Sequence, residues 1–423
     1  MKEASYALVS ALLASVTYAN NGNDKNDEPS VPNSMEQPVI EEPTIEGEET
    51  GLLPVNYSTF KSDHLEVTWG GRIFFDVGWF SGDSSYVDDS GGIAQDGAEF
   101  RTVRFSANGR LYDTLDFKID VEAEGDDENN LKDIYLGFDT PIGDLLVGYF
   151  KEPFSMEELT SSRFITFMER GLPNVFVPAR NMGFQFSNYH EDLNNLQWAV
   201  GAFRNSVDGG LSQGDGEYSV TGRVTGTILD SDEGQSVLHA GLGYSLRSDI
   251  GGMIDFTEEP EIHMLADLGG ATIPADDAHI GNLELAWVEG PVSFQGEYFM
   301  TSVNAPSGGM DADYMGYYVL GSYFLTGESR AYQASRGRFN RVKPMENFDG
   351  SGGSGAWELA ARFSMNDFND GPTTNETTNY TVGLNWYLNP HTRIMANYIH
   401  SEFEDVGIDD SLDAFMLRFQ VDF

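Results

Sequence analysis

From residue 415 to residue 423 apolar and polar side chains alternate without a slip. Phe415, Leu417, Phe419, Val421 and Phe423 share one face, and Met416, Arg418, Gln420 and Asp422 share the other. A period of two marks a strand with one dry and one wet side. Tyr380, Val382, Leu384, Trp386 and Leu388 repeat it, as do Leu115, Phe117, Ile119, Val121 and Ala123 against Asp116, Lys118, Asp120 and Glu122. Followed along the chain beyond about residue 60, the same period predicts sixteen strands. The dry faces are aromatic and aliphatic across many strands, as a lipid-facing band with aromatic girdles requires.

Short connections at 113–114, 140–143 and 389–391 alternate with long ones at 81–96 and 151–181. Such asymmetry is that of outer-membrane barrels, whose periplasmic turns are short and external loops long. With both termini periplasmic the strand number is even, and a barrel of sixteen strands encloses an aqueous channel rather than a packed core. The expected fold is therefore all-β, a 16-stranded antiparallel transmembrane β-barrel acting as a diffusion pore. Segment 327–355 breaks the alternation, being long at the turn end. Either the count is off or this turn folds into the lumen.

Composition agrees with one large barrel: 423 residues, 40% hydrophobic, 47 Gly and 19 Tyr. A mean hydropathy of -0.34 does not exclude a membrane, because alternation dilutes hydropathy. No segment reaches the roughly 20 apolar residues of a spanning helix. Residues 1–19, with an apolar run from Ala4 to Val16 and small residues at the end, read as a secretory signal, and acidic, proline-bearing 20–60 as a disordered periplasmic leader before the barrel at 61–423. Cysteine is absent, which removes thiolate metal sites and cysteine nucleophiles. A net charge of -44 argues against nucleic acid as a partner. No catalytic, metal or cofactor site is expected. His400 and Ser401 are strand neighbours and point to opposite faces, and the acid clusters at Gly125 and Glu258 lack the spacing of a calcium loop.

Parity also assigns the wet residues. Val67, Trp69, Ile73, Phe75, Val77 and Trp79 facing out turn Arg72 and Asp76 inward, and Val103, Phe105, Ala107 and Leu111 turn Arg104 and Arg110 inward. The same logic places Lys118, Arg223, Arg362, Arg393 and Arg418 in the lumen. Arginine on the lipid face costs roughly 2 to 4 kcal/mol at midplane, which enforces the assignment. Seven of these cations are arginines, whose planar fork grips phosphate oxygens bidentately at any working pH. Asp76, Asp116, Asp120, Glu122, Asp133, Glu284, Glu297, Glu358 and Asp422 share the wet face, so structural ion pairing is the competing role for every one of them.

The stretch GYFKEPFSMEELTSSRFITFMERGLPNVFVPARNMG from Gly148 resembles the long third loop of the phosphate-selective porin O/P family. GYYVLGSYFLTGESRAY from Gly316, FNRVKP from Phe339, GAWELAARFS from Gly355 and LNWYLNPHTRIMANYIHS from Leu384 extend the resemblance over nearly all of the chain after about His64. It implies a trimeric outer-membrane porin, in contact with lipid and lipopolysaccharide, that passes phosphate or pyrophosphate past inward-folded loops. Folded so, loop 151–181 sets the constriction and presents Lys151, Arg163, Arg170 and Arg180, unless the nearby Glu152, Glu157, Glu158 and Glu169 make them braces. Segment 327–355 carries Arg330, Arg336, Arg338, Arg341 and Lys343 against three acids, a local excess of +2 that reads as a periplasmic funnel. An anion pore with phosphate preferred leads. The -44 charge keeps a general or cation-preferring pore open, and long acidic loops keep open a plugged adhesive barrel.

Overall fold

The computed structural model describes residues 59–83, 94–123, 131–204, 217–231, 235–257, 259–265, 269–405 and 408–423. The expected signal and most of the expected leader lie outside them, although Thr59–Lys61, at the predicted leader's end, already form a short strand against Glu66–Thr68.

Sixteen strands form the wall: β1 Leu65–Gly82, β2 Gly97–Leu111, β3 Leu115–Glu122, β4 Leu131–Thr140, β5 Gly143–Lys151, β6 Arg180–His190, β7 Leu196–Arg204 and β8 Tyr218–Ser231, followed by β9 Ser236–Asp255, β10 Thr272–Glu289, β11 Val292–Asn304, β12 Ala312–Phe324, β13 Ala356–Asp367, β14 Asn375–Asn389, β15 Thr392–Asp405 and β16 Ile408–Asp422. Each pairs antiparallel with the next, and β16 closes on β1 with Leu417 opposite Val77 and Arg418 opposite Asp76. Closure leaves no sheet edge unpaired in lipid, where an unsatisfied backbone group costs several kcal/mol.

The alternation holds as read. Trp69, Ile73, Trp79, Phe105, Val200, Leu283, Phe415 and Phe419 are exposed on the outer face, while Asp76, Arg223, Glu284 and Arg418 are buried inside. Outer rings pack across strands, as where Trp357 and Trp386 stack at 5.0 Å.

Three segments fill part of the lumen. The third loop, 152–179, carries a one-turn helix α1 (Met156–Leu159), capped by the Ser155 side chain on the Glu158 N–H, and a 3-10 turn at Leu172–Phe176. Its Phe154, Phe167 and Phe176 are fully buried against the wall. A second insert at 260–265 sends Glu261 inward. The third is the anomalous segment 325–355, which folds into the lumen at the turn end: Arg330 is buried, and the Gly337 carbonyl accepts from Arg223 on β8. The count of sixteen therefore stands.

These inserts lean to one side. Lumenal side chains of β8–β16 are mostly buried beneath them, whereas Asn108, Arg110 and Asp139 on β2 and β4 stay exposed. The exposed lumenal side chains thus lie at the turn end of β2–β4.

Because Leu283 faces lipid midway along β10, Leu283→Arg is expected to destabilise the barrel by roughly 2 to 4 kcal/mol. Asn282→Ala, one residue away and inward, carries no lipid penalty. Denaturant unfolding in lipid vesicles measures the contrast.

Candidate functional site

The wall cations separate into two groups. Arg223, Arg362, Arg393 and Arg418 are only 1% to 4% exposed, so they present no surface to a solute. Each instead donates to a backbone carbonyl of an insert. Arg418 reaches Met168, Arg393 reaches Ile165 at 2.8 Å, Arg362 reaches Glu169 at 3.0 Å, and Arg223 reaches Gly337 at 2.6 Å. Their carboxylate partners complete the pins. Asp76 accepts twice from Arg418 at 2.8 and 2.7 Å, Glu284 accepts twice from Arg223 at 2.8 and 2.6 Å, and Glu261 accepts from Arg362. The lumenal placement read from parity is right for these four; the solute contact expected of them is replaced by loop anchoring, because the inserts cover that wall. Gly337 allows the close approach on β8, since a Cβ there would lie 2.4 Å from the Thr225 hydroxyl.

Arg72, Arg104, Lys118 and Arg110 keep 11%, 12%, 22% and 44% of their side chains exposed. Arg72 and Arg104 stand directly opposite one another across β1 and β2. Like charges so placed repel, and Asp120 lies between them at 3.9 and 3.8 Å, with Lys118 also at 3.8 Å. Those distances exceed hydrogen-bond range. The shorter contacts are Arg72 to the Ser161 and Ser162 hydroxyls at 3.3 and 3.0 Å, Arg104 to Glu122 at 2.8 Å, and Lys118 to Asp133 at 2.5 Å. Arg104 Nε is buried without a protein partner. Arg110 is held by Asp116 at 2.7 Å, with Asp139 at 3.4 Å.

The loop cations brace the constriction. Lys151 meets Glu158 at 2.6 Å, and Arg170 meets Glu158 at 3.0 Å while donating to the carbonyls of Glu157, Glu158 and Thr160. Arg180 crosses to Asp133 at 2.7 Å. Burial alone would raise the Glu158 carboxyl, but the charges of Arg170 and Lys151 outweigh it and hold it down at about 2. Arg163 faces Asp422 at 3.6 Å and shares the Phe164 ring with Arg341.

The inward turn contributes differently along its length. Arg341 pairs with Asp422. Arg330 is buried over the Phe339 ring and donates to Gln295 at 3.0 Å. Arg338 donates to the Leu159 carbonyl at 2.6 Å, which ties turn to constriction loop. Burial, then Arg336 and Arg223, pull Arg338 down to about 10, so it remains charged at neutral pH. Lys343 is exposed.

Two cations escaped parity because strands bulge beneath them. Thr102 and Phe100 pair with the consecutive residues Phe74 and Phe75, which leaves Arg101 as the extra residue and turns it from the lipid face to Glu169 at 2.9 Å. Likewise Ile134 and Leu131 pair with Ile119 and Val121, which sets Lys132 and Asp133 against the single residue Asp120; Lys132 meets Glu122 at 2.9 Å. No alternation in sequence marks an extra residue. Glu261 was also missed, because in sequence it is one acid among several in a loop.

A closed sixteen-stranded antiparallel barrel with an apolar outer belt and a wet lumen narrowed by its own loops is a diffusion porin of the bacterial outer membrane. This chain belongs to the family described as phosphate-selective porin O and P, whose sequence model matches residues 67–423. Porin O of Pseudomonas aeruginosa is 28% identical over 404 aligned residues, covering 83% of this chain and 87% of the relative. An uncharacterized protein of Caulobacter vibrioides is 28% identical over 345 residues, covering 78% and 67%. Among solved structures, OmpT of Vibrio cholerae and the anion-selective porin of Comamonas acidovorans each superpose with a TM-score of 0.55. They are 12% and 13% identical and cover 86% and 85% of this chain and 100% of each structure, a likeness in fold.

Removing Arg418 leaves Asp76 buried without a cation, while Glu169 keeps only Arg101, so Arg418→Met is expected to cost about 3 to 5 kcal/mol and to free the third loop for protease cleavage. Glu158 adds a pH dependence. Its folded value lies below the unfolded one, so its contribution is present above about pH 4 and is lost as pH falls toward 2. Protease resistance of the third loop is expected to be flat from pH 8 to about 5 and to fall below that window.

Proposed function

We propose that the porin passes small oxyanions, phosphate preferred, along the open side of the lumen past Arg72, Arg104 and Lys118. One observation carries the reading: two arginines face each other in register, and the carboxylate they share stands too far away to take their hydrogen bonds. An oxyanion entering there meets guanidinium donors, the Lys118 ammonium and the Ser161 and Ser162 hydroxyls together. The pins beneath the inserts hold the constriction rigid, and Arg110, Arg336 and Arg338 extend positive charge toward the turn end. Several weak sites in series let the solute leave again. The family's description, the name of porin O and the anion-selective relative of the same fold support an anion pathway.

In the same reading the pore is a homotrimer. Strands β3–β7 have 8 to 11 residues against 12 to 20 elsewhere, a low wall suited to a neighbouring copy. Cross-linking and light scattering of detergent-extracted protein measure the assembly.

Reversal potentials in a planar bilayer under a salt gradient are expected to show anion selectivity, and phosphate is expected to inhibit chloride current. Loss of one charged hydrogen bond, about 1.5 to 3 kcal/mol, weakens that inhibition by roughly 10- to 100-fold in Arg72→Gln and Arg104→Gln. Cation selectivity, or inhibition unchanged in both variants, overturns the reading.

A further inference from the structure

A cavity of about 500 Å³ lies at the loop end of the barrel, beside the last stretch of the third loop. Its lining is of two kinds. Lys132 on β4, Arg180 at the start of β6 and Arg247 on β9 contribute charge, while Val175 on the third loop and Ile250 and Ile254 on β9 contribute aliphatic surface. Asp255 lines it too, but its carboxylate already accepts from the Thr257 and Thr272 hydroxyls at 2.9 and 2.8 Å.

The two arginines are only partly engaged. Arg180 gives its Nε to Asp133 at 2.7 Å, and Arg247 gives one terminal nitrogen to Glu152 at 3.3 Å. No other hydrogen bond takes up either guanidinium among the described residues. The carboxylates they touch are shared. Asp133 also takes Lys118 at 2.5 Å, Glu122 takes Lys132 at 2.9 Å and Arg104 at 2.8 Å, and Glu152 accepts from Asn181 at 2.7 Å and Ser219 at 3.2 Å. Together Arg72, Arg104, Lys118, Lys132, Arg180 and Arg247 stand against Asp120, Glu122, Asp133 and Glu152, six cations to four carboxylates. These shared acids also join the cavity to the cluster of Arg72, Arg104 and Lys118.

The aliphatic surface is the unusual part. Val175, Ile250 and Ile254 are only half-buried, packing on one side against the core that contains Phe154, Phe176 and Phe256. Their remaining surface faces the cavity. Inorganic phosphate has no use for such a surface, and leaving it wet forgoes hydrophobic stabilisation in proportion to its area. The volume also falls within the range of small-molecule sites, roughly 300 to 1,000 Å³.

We propose that this cavity binds organic phosphates, monoesters whose phosphoryl group sits on Arg180, Arg247 and Lys132 and whose apolar ester group lies on Val175, Ile250 and Ile254. The inference deepens the anion reading above by naming a second class of solute, but the binding itself does not require the pathway past Arg72 and Arg104. Guanidinium forks and an ammonium suit the phosphoryl oxygens. The aliphatic face then separates the ester from inorganic phosphate.

Phenyl phosphate serves as the probe and inorganic phosphate as the reference. Titration calorimetry on the full-length porin in detergent is expected to show phenyl phosphate binding roughly 10- to 100-fold more tightly, the worth of burying one small apolar group. Added to the loop side of a planar bilayer, it is expected to inhibit chloride current with the same advantage. Val175→Thr combined with Ile254→Thr keeps both side chains β-branched and is expected to cancel that advantage, with single-channel conductance and inorganic phosphate binding unchanged. Arg247→Gln is expected to weaken phenyl phosphate by about tenfold or more. The advantage is expected to survive in Arg72→Gln. Equal affinity for the two anions in the parent, or an advantage that survives the threonine pair or disappears with Arg72, overturns the site and leaves the anion pathway standing. A cation-selective porin that still binds phenyl phosphate through Val175, Ile254 and Arg247 overturns the pathway and leaves the site.

Discussion

Everything in this molecule follows from a strand having two faces in two solvents. One side must be apolar because it meets hydrocarbon, and the next residue along must point into the lumen. The lumen is thus the one place where this chain can put side chains that bond strongly without paying to bring them into lipid. Arg223, Arg362, Arg393 and Arg418 are there because of parity. Once there, they are drawn to whatever carbonyls and carboxylates the inserts bring within reach.

That attraction turns an empty cylinder into a narrow pore. Phe154, Phe167 and Phe176 bury apolar surface against the wall, but packing alone does not fix which carbonyl sits where. The arginine forks do, by gripping Ile165, Met168 and Glu169 from three strands. The same loop offers the Met156 and Glu157 N–H groups to Glu297 on β11, at 3.1 and 2.8 Å. Buried ion pairs are weak evidence for stability, since desolvation offsets most of their attraction. Their directionality is what counts here, because a constriction displaced by about one strand spacing, near 4.8 Å, would admit a different solute.

The sequence made the wall legible and the contents of the wall much less so. Strand number, closure and the facing of Arg72, Arg104 and Arg418 could be read because lipid imposes a strict rule on alternate residues. Arg101 and Lys132 could not, since a bulge adds one residue without altering composition, and the rule inverts beyond it. Whether a lumenal arginine meets solute or loop was also beyond parity. Arg104 and Arg362 have the same residue type on the same face, yet one lies beside open water and the other beneath the third loop. What decides between them is the path of segments 152–179 and 325–355, whose hydrogen bonds span up to 257 residues in sequence. The excess charge of 325–355 did signal that this turn was unusual, and its lumenal position gives those cations their acceptors.

On the proposed pathway, the pins also explain how so acidic a chain can present positive charge to a solute. Most of its 24 Lys and Arg lie within the barrel, and three of the deepest, Arg418, Arg362 and Arg223, are neutralised by Asp76, Glu261 and Glu284. These pairs contribute little to the field along the open side. What remains there is the mismatch at Asp120, one buried carboxylate facing three cations that it does not fully engage. Leaving this cluster incompletely matched is tolerable because Asp120, within 4 Å of all three cations, softens the repulsion between Arg72 and Arg104. Selectivity in such a pore therefore depends less on how many arginines line the lumen than on which of them the inserts leave uncovered.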